Sequence, residues 1–105
     1  MPGVDLNYFI RQANKLTEKI EKRKQELAEE TVSADAGEGL VTAVATGTQE
    51  IRSIKIDKKI IDPNDVATLE DLVTAAVNKA LTQSKTHMQV ELGKISGGIK
   101  IPGIT

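Results

Sequence analysis

The chain has 105 residues, 39% of them hydrophobic, and sets fourteen Lys and Arg against fifteen Asp and Glu for a net charge of -1. Cysteine is absent, which excludes disulfides, thiolate nucleophiles and zinc–thiolate sites. The charge balance lacks the strongly basic character of a tight nucleic-acid binder, so any recognition of a polyanion must come from how the charges are distributed.

The length predicts a single domain over 1–105. Only Tyr8 and Phe9 are aromatic and no Trp is present, so the core must be a thin one of Ile, Leu, Val and Ala. A folded chain of this size buries only about two-thirds of its unfolded surface, and association with a second copy would add to that. No basic segment followed by an apolar run opens the chain, and no apolar stretch approaches the ~20 residues of a membrane span. A soluble, cytoplasmic protein with no membrane partner is expected.

From Asp5 to Glu30 the apolar residues Leu6, Phe9, Ala13, Leu16, Ile20 and Leu27 recur at steps of three and four, and Arg23 occupies the one slot that breaks the series. The pattern predicts a long amphipathic helix with Asp5 as N-cap. Its length of about seven turns exceeds what a thin core covers, so part of it should project.

After Glu30 the period becomes alternating. Thr31 to Ala36, Leu40 to Thr46 and Ile51 to Ile56 are rich in β-branched residues and read as three antiparallel strands. Gly37-Glu38-Gly39 and Gly47-Thr48-Gln49 supply the turns, with glycine providing positive φ. In the third strand Ile54 and Ile56 share a face with Arg52, while Ser53 and Lys55 take the other.

Asp57 to Asn64 is a connection in which Asp62-Pro63 starts a short helical turn. A second long helix follows, capped by Thr68 with Asp71 three positions on, and buried along Leu69, Leu72, Val73, Ala76, Val77, Ala80 and Leu81. The apolar stripe weakens from Thr82 to His87, resumes at Met88, Leu92 and Ile95, and ends at Gly97-Gly98. The tail over 97–105 contains Pro102 and Gly103 and should be irregular. The order helix, three strands, helix gives an α+β fold without a crossover. Its three-stranded sheet has open edges that two copies would satisfy by joining sheets, which predicts a homodimer with the long helices projecting.

Four segments resemble the YbaB/EbfC nucleoid-associated family, and the resemblance spans nearly the whole chain. They are Leu69-Glu-Asp-Leu-Val-Thr-Ala-Ala-Val-Asn-Lys-Ala80, Gly37-Glu-Gly-Leu-Val-Thr-Ala-Val-Ala-Thr-Gly47, Ile54-Lys-Ile-Asp57 with Ile60-Ile61, and Gly97-Gly-Ile-Lys-Ile-Pro-Gly103. The resemblance implies a dimer whose long helices project like tweezers and which binds DNA with low or variable sequence preference, affecting nucleoid organisation and gene expression. Two departures bear on the DNA-contacting surface. The Asp57-Lys58-Lys59 stretch lacks the proline that often follows the aspartate, and the first helix lacks the Gly- and Met-rich leader of many members.

On the first helix Arg11, Lys15, Lys19, Lys22 and Arg23 form a basic strip beside the apolar seam. Two readings stay open: the strip follows phosphates, or Glu18, Glu21, Glu26, Glu29 and Glu30 pair with it on a solvated face. Lys79, Lys85 and Lys94 on the second helix, with His87 nearby, are sparser. Of these Lys79 and Lys85 join the expected DNA-contacting set. Arg23 either snorkels to the helix edge or marks where the helix has left the core, and the second reading is adopted.

His87, the one histidine, has no partners at a metal or acid–base spacing and is expected at the surface. Asp57, Asp62 and Asp65 lack the alternating ligands and central glycine of a calcium loop and suit caps and turns. Gly37 and Gly39 lack the lysine and following helix of a phosphate loop. No metal or cofactor is expected. Nothing assembles a nucleophile, base and oxyanion site, so an enzyme is disfavoured. The competing functions are a protein-interaction module using the projecting helices and the tail Ile99-Lys-Ile-Pro-Gly-Ile104, and a structural dimer whose helices close a cavity.

Overall fold

A computed structural model describes residues 5–97. Helix α1 covers Leu6–Leu27, strands β1 Thr31–Ala36, β2 Val41–Thr46 and β3 Ile51–Ile56 form an antiparallel sheet in the order β1-β2-β3, a 3-10 turn covers Lys58–Ile60, and helix α2 covers Val66–Ile95. This is the expected helix, three-strand sheet, helix arrangement.

Asp5 caps α1 by accepting from the Asn7 N–H at 3.0 Å. The helix stops at Leu27, three residues before Glu30, because the chain tightens there: Glu29 N–H donates to Glu26 O at 3.0 Å and Glu30 N–H to Leu27 O at 3.1 Å. The Gly47 N–H then donates to the carbonyls of Leu27 and Glu30, 2.9 Å in each case. A Cβ at Gly47 would stand 2.6 Å from the Leu27 oxygen. Gly47 is thus small because α1 ends against it. The positive φ expected of its turn falls instead on Gln49, at 64°.

The β2–β3 register shifts between Val44 and Ala45, so that Val44 faces Ser53 while Ala45 faces Ile51, and Arg52 is the extra residue. Cross-strand partners share a face, and the bulge therefore puts Ile51 on the same side as Ile54 and Ile56. An uninterrupted alternation running back from Ile56 and Ile54 would put Ile51 on the opposite face and cannot anticipate this bulge. The Arg52 guanidinium reaches the Ala28 carbonyl at 3.3 Å.

The 3-10 turn precedes the place expected for a helical turn. Asp57 caps it by accepting from Lys59 N–H at 2.9 Å, whereas Asp62 accepts from Asn64 N–H at 2.9 Å in a non-helical turn. Asp65, not Thr68, caps α2: its carboxylate accepts from the Thr68 N–H at 3.3 Å and the Thr68 hydroxyl at 2.7 Å. At the far end Gly97 takes φ +63°, as a helix-terminating glycine does. Gly98 and the tail lie outside the described residues.

Two apolar clusters result. In the first, Ala34, Val41, Ala43 and Ala45 of the sheet meet Ala76 and Ala80 of α2, with Leu69, Leu72, Val73, Val77 and Leu81 packed around them. Alanines on both sides let the helix lie close to the sheet. In the second, Ile20 and Leu27 of α1 meet Leu92 of α2, with Leu16, Met88 and Ile95 alongside. The two helices run antiparallel, and together they make an arm that draws the molecule out to 76 × 20 × 16 Å. The first turns of α1 extend past the end of α2, leaving Leu6, Tyr8, Phe9 and Ile10 exposed.

Candidate nucleic-acid interface

The seam of α1 that faces α2 is fixed by Leu16, Ile20 and Leu27. With 3.6 residues per turn, Arg11, Lys15, Lys19 and Lys22 fall roughly 80–160° around the helix from that seam. All four are exposed. Among the described residues no carboxylate forms an ion pair with any of them. Three of the five carboxylates that the sequence offered for pairing are used elsewhere, Glu26 and Glu30 by Arg23 and Glu21 at 3.9 Å from Lys24, while Glu18 and Glu29 are exposed and form no ion pair among the described residues. From Arg11 to Lys22 the strip runs about 16 Å along the helix, the axial span of about five phosphates on one strand of B-DNA.

Arg23 is different. It stays in the seam between Ile20 and Leu27 rather than marking a departure from the core, and its side chain is only 20% exposed. Its Nη1 donates to Glu30 Oε2 at 2.6 Å and Glu26 Oε1 at 3.1 Å, and its Nη2 to Glu91 Oε1 at 2.7 Å and Glu30 Oε1 at 3.2 Å. These bonds hold the Glu30 carboxyl at about 2, with Arg23 the main cause and the hydrogen bond from His87 the next. The Glu91 carboxyl is also lowered, by Lys94 first and Arg23 second. His87, expected at the surface, is half-buried with Nε2 3.0 Å from Glu30 Oε1.

On α2, Lys79 is exposed and donates to the Asp35 carbonyl at 3.1 Å, while Lys85 is exposed and forms no ion pair among the described residues. Lys94 is tied to Glu91. Thus Arg11, Lys15, Lys19 and Lys22 share one face, and Lys79 and Lys85 stand apart from it on the other helix. Asp57, Asp62 and Asp65 serve the caps and turn described above. No group of three or more His, Asp or Glu among the described residues could hold a metal ion, and no helix there is long and apolar enough to cross a membrane.

Sequence reading missed Ser84. Its buried hydroxyl donates to the Thr46 carbonyl and accepts from the Gln49 N–H at 3.1 Å, fastening α2 to the β2–β3 turn. The only signal was the weakened stripe from Thr82 to His87.

The molecule is thus a small α+β protein with an extended two-helix arm, whose outer face carries cations that form no ion pair among the described residues. The comparisons with known proteins make the assignment specific. Residues 1–99 match the model of the YbaB/EbfC DNA-binding family, and the chain belongs to that family. It is 77% identical over 105 residues to a nucleoid-associated protein of Myxococcus xanthus, covering 100% of both chains. It is 47% identical over 102 residues to one of Thermoanaerobacter pseudethanolicus, covering 97% of this chain and 92% of that one. The crystal structure of an uncharacterized protein from Helicobacter pylori shares the fold, with a TM-score of 0.79 over 90% of this chain and 100% of that chain, at 13% identity.

Proposed function

We propose that the chain is a non-enzymatic, homodimeric protein that binds duplex DNA through backbone phosphates, with low or variable sequence preference, and thereby affects nucleoid organisation and gene expression in the cytoplasm. The observation that carries this reading is the set of four exposed cations, Arg11, Lys15, Lys19 and Lys22, without carboxylate partners among the described residues on the outer face of α1. Phosphate contacts of this kind position a protein without reading bases. A non-enzymatic role fits the buried hydroxyls of Thr46 and Ser84, which are held in hydrogen bonds to turn backbone.

The dimer is supported by a second surface. Ile54 and Ile56 pair with the buried Ala43 and Val41, so they face the core side of the sheet, yet they are 41% and 38% exposed. Ile61 and Val66, in the connection that follows β3 and at the start of α2, are exposed as well. Helix α2 leaves this end of the sheet uncovered, and β3 is also an open edge. A second copy covering these isoleucines would complete the layer. Ile54→Lys with Ile56→Lys is expected to convert a dimer into a monomer in sedimentation equilibrium. A wild-type chain that sediments as a monomer at micromolar concentration removes the dimer.

The DNA reading is tested by a gel-shift titration of unrelated duplexes at low and moderate salt. Similar affinity for each duplex and a steep loss with salt are expected, and no retardation at low salt overturns it. A second reading, a protein-interaction module, is favoured by Leu6 and Phe9, 68% and 54% exposed at the free end of α1. A partner retained from nuclease-treated lysate, with no retardation of DNA, would favour that reading instead.

A further inference from the structure

The two apolar clusters do not merge. Between the sheet-borne cluster and the interhelical one the molecule is joined by polar contacts: Ser84 to Thr46 and Gln49, Gly47 to Leu27, and the group centred on Arg23. Arg23 grips three segments at once. Glu26 is on α1 itself, Glu30 is in the link to β1, and Glu91 is on α2. The Glu30 contact is two-pronged, one carboxylate oxygen to each terminal nitrogen, a geometry that fixes orientation as well as distance.

These contacts also argue against a phosphate-binding role for Arg23. Its terminal nitrogens already make four bonds to carboxylates. A phosphate reaching it would meet Glu26, Glu30 and Glu91, balanced only by Arg23, Lys94 and whatever charge His87 carries.

We propose that Arg23 is a positioning residue for DNA binding: by bridging Glu30 in the link to β1 and Glu91 on α2 it fixes how α1 lies along the sheet-anchored α2, and so the direction in which Arg11, Lys15, Lys19 and Lys22 face. This rests on the DNA-binding reading above. It has a consequence opposite in sign to simple electrostatics. Deleting a carboxylate from a protein that holds a polyanion should tighten binding by charge alone, whereas deleting Glu91 releases α1 from α2 and weakens it.

The test is fluorescence anisotropy of one labelled duplex at fixed salt, with the full chain and its Glu91→Ala, Arg23→Lys, Arg23→Ala and Arg23→Ala/Glu91→Ala variants. Circular dichroism establishes that each is folded, and Glu91→Gln, which keeps the side-chain shape, replaces Glu91→Ala should the latter fail to fold. Glu91→Ala is expected to weaken binding about 2- to 30-fold, the range that changes in coupling between sites span. Arg23→Lys should weaken it similarly although the charge is kept, since an ammonium cannot make the two-pronged bridge. The double variant should bind no more weakly than Arg23→Ala alone. Tighter or unchanged binding by Glu91→Ala, or wild-type binding by Arg23→Lys, overturns the proposal. A Lys15→Ala/Lys19→Ala/Lys22→Ala variant separates the two readings. If it binds as wild type, the α1 interface itself is wrong; if it loses binding while Glu91→Ala does not, only the positioning role falls.

Discussion

Replacing Gly47 with alanine tests the corner at which α1 meets the sheet. The added methyl would lie 2.6 Å from the Leu27 carbonyl oxygen, 3.1 Å from Leu27 Cβ and 3.2 Å from Leu27 Cδ2. The oxygen is backbone and accepts the Gly47 and Glu30 N–H groups, so relief requires moving the end of α1 and with it the fully buried Leu27. Overpacking of this kind costs about 1–3 kcal/mol. At about 4–8 °C per kcal/mol for a domain near this size, the melting temperature should fall by about 5–20 °C. Gly93 provides a contrast of opposite sign. A Cβ there meets nothing within 4 Å in the body of α2, and alanine should stabilise by up to about 1 kcal/mol. The assay is thermal unfolding followed at 222 nm, with protein concentration held fixed because association shifts the midpoint. A Gly47→Ala protein melting at or above wild type would show that the corner yields freely, and the close-approach argument would fall.

Three further outcomes are expected. Changing Arg11, Lys15, Lys19 and Lys22 together to Gln should reduce the log–log salt slope of DNA binding by up to about 3.6 per copy, at about 0.9 per phosphate contact, and an unchanged slope in salt titrations would remove these residues from the interface. Glu30 titrates at about 2 in the folded chain against an ordinary 4.5, so its contribution is full above the ordinary value and is lost as pH falls toward the folded one. Arg23→Met should therefore show a shallower loss of thermal stability on acidification than wild type, and superimposable curves would mean that Arg23 does not hold these carboxyls down. Leu92→Ala, which opens a hole beside Ile20 and Leu27, should cost about 2–5 kcal/mol in urea unfolding, while Val90→Ala at an exposed site should stay within about 0.5 kcal/mol.

The elements themselves were legible because their signals are local. The step of three and four from Leu6 to Leu27, the β-branched runs bounded by glycine and the stripe from Leu69 to Leu81 each repeat within a few residues. What escaped depended on distant partners. Arg23 looked like a seam residue whose helix had left the core, since Glu91 lies 68 positions away in sequence. In sequence Gly47 is a turn glycine like any other, whereas in the fold the end of α1 at Leu27 demands its smallness. The one-dimensional pattern admits Thr68 as the cap of α2, and only the folded geometry gives that role to Asp65. The cations of α1 were legible as a strip, but whether Glu18, Glu26 or Glu29 neutralised them depended on rotamers that spacing does not fix.

The break between the two apolar clusters gives the molecule two grades of firmness. The sheet and the first half of α2 can keep their packing while the outer part of the arm loosens, because only Leu27 against Gly47 and the polar contacts of Ser84 and Arg23 join the two clusters. Amide hydrogens in the leading turns of α1 should consequently exchange soonest and those of β2 last. A helix that yields first at its tip while its base stays anchored can follow the undulation of a bent or irregular duplex without endangering the fold that carries it.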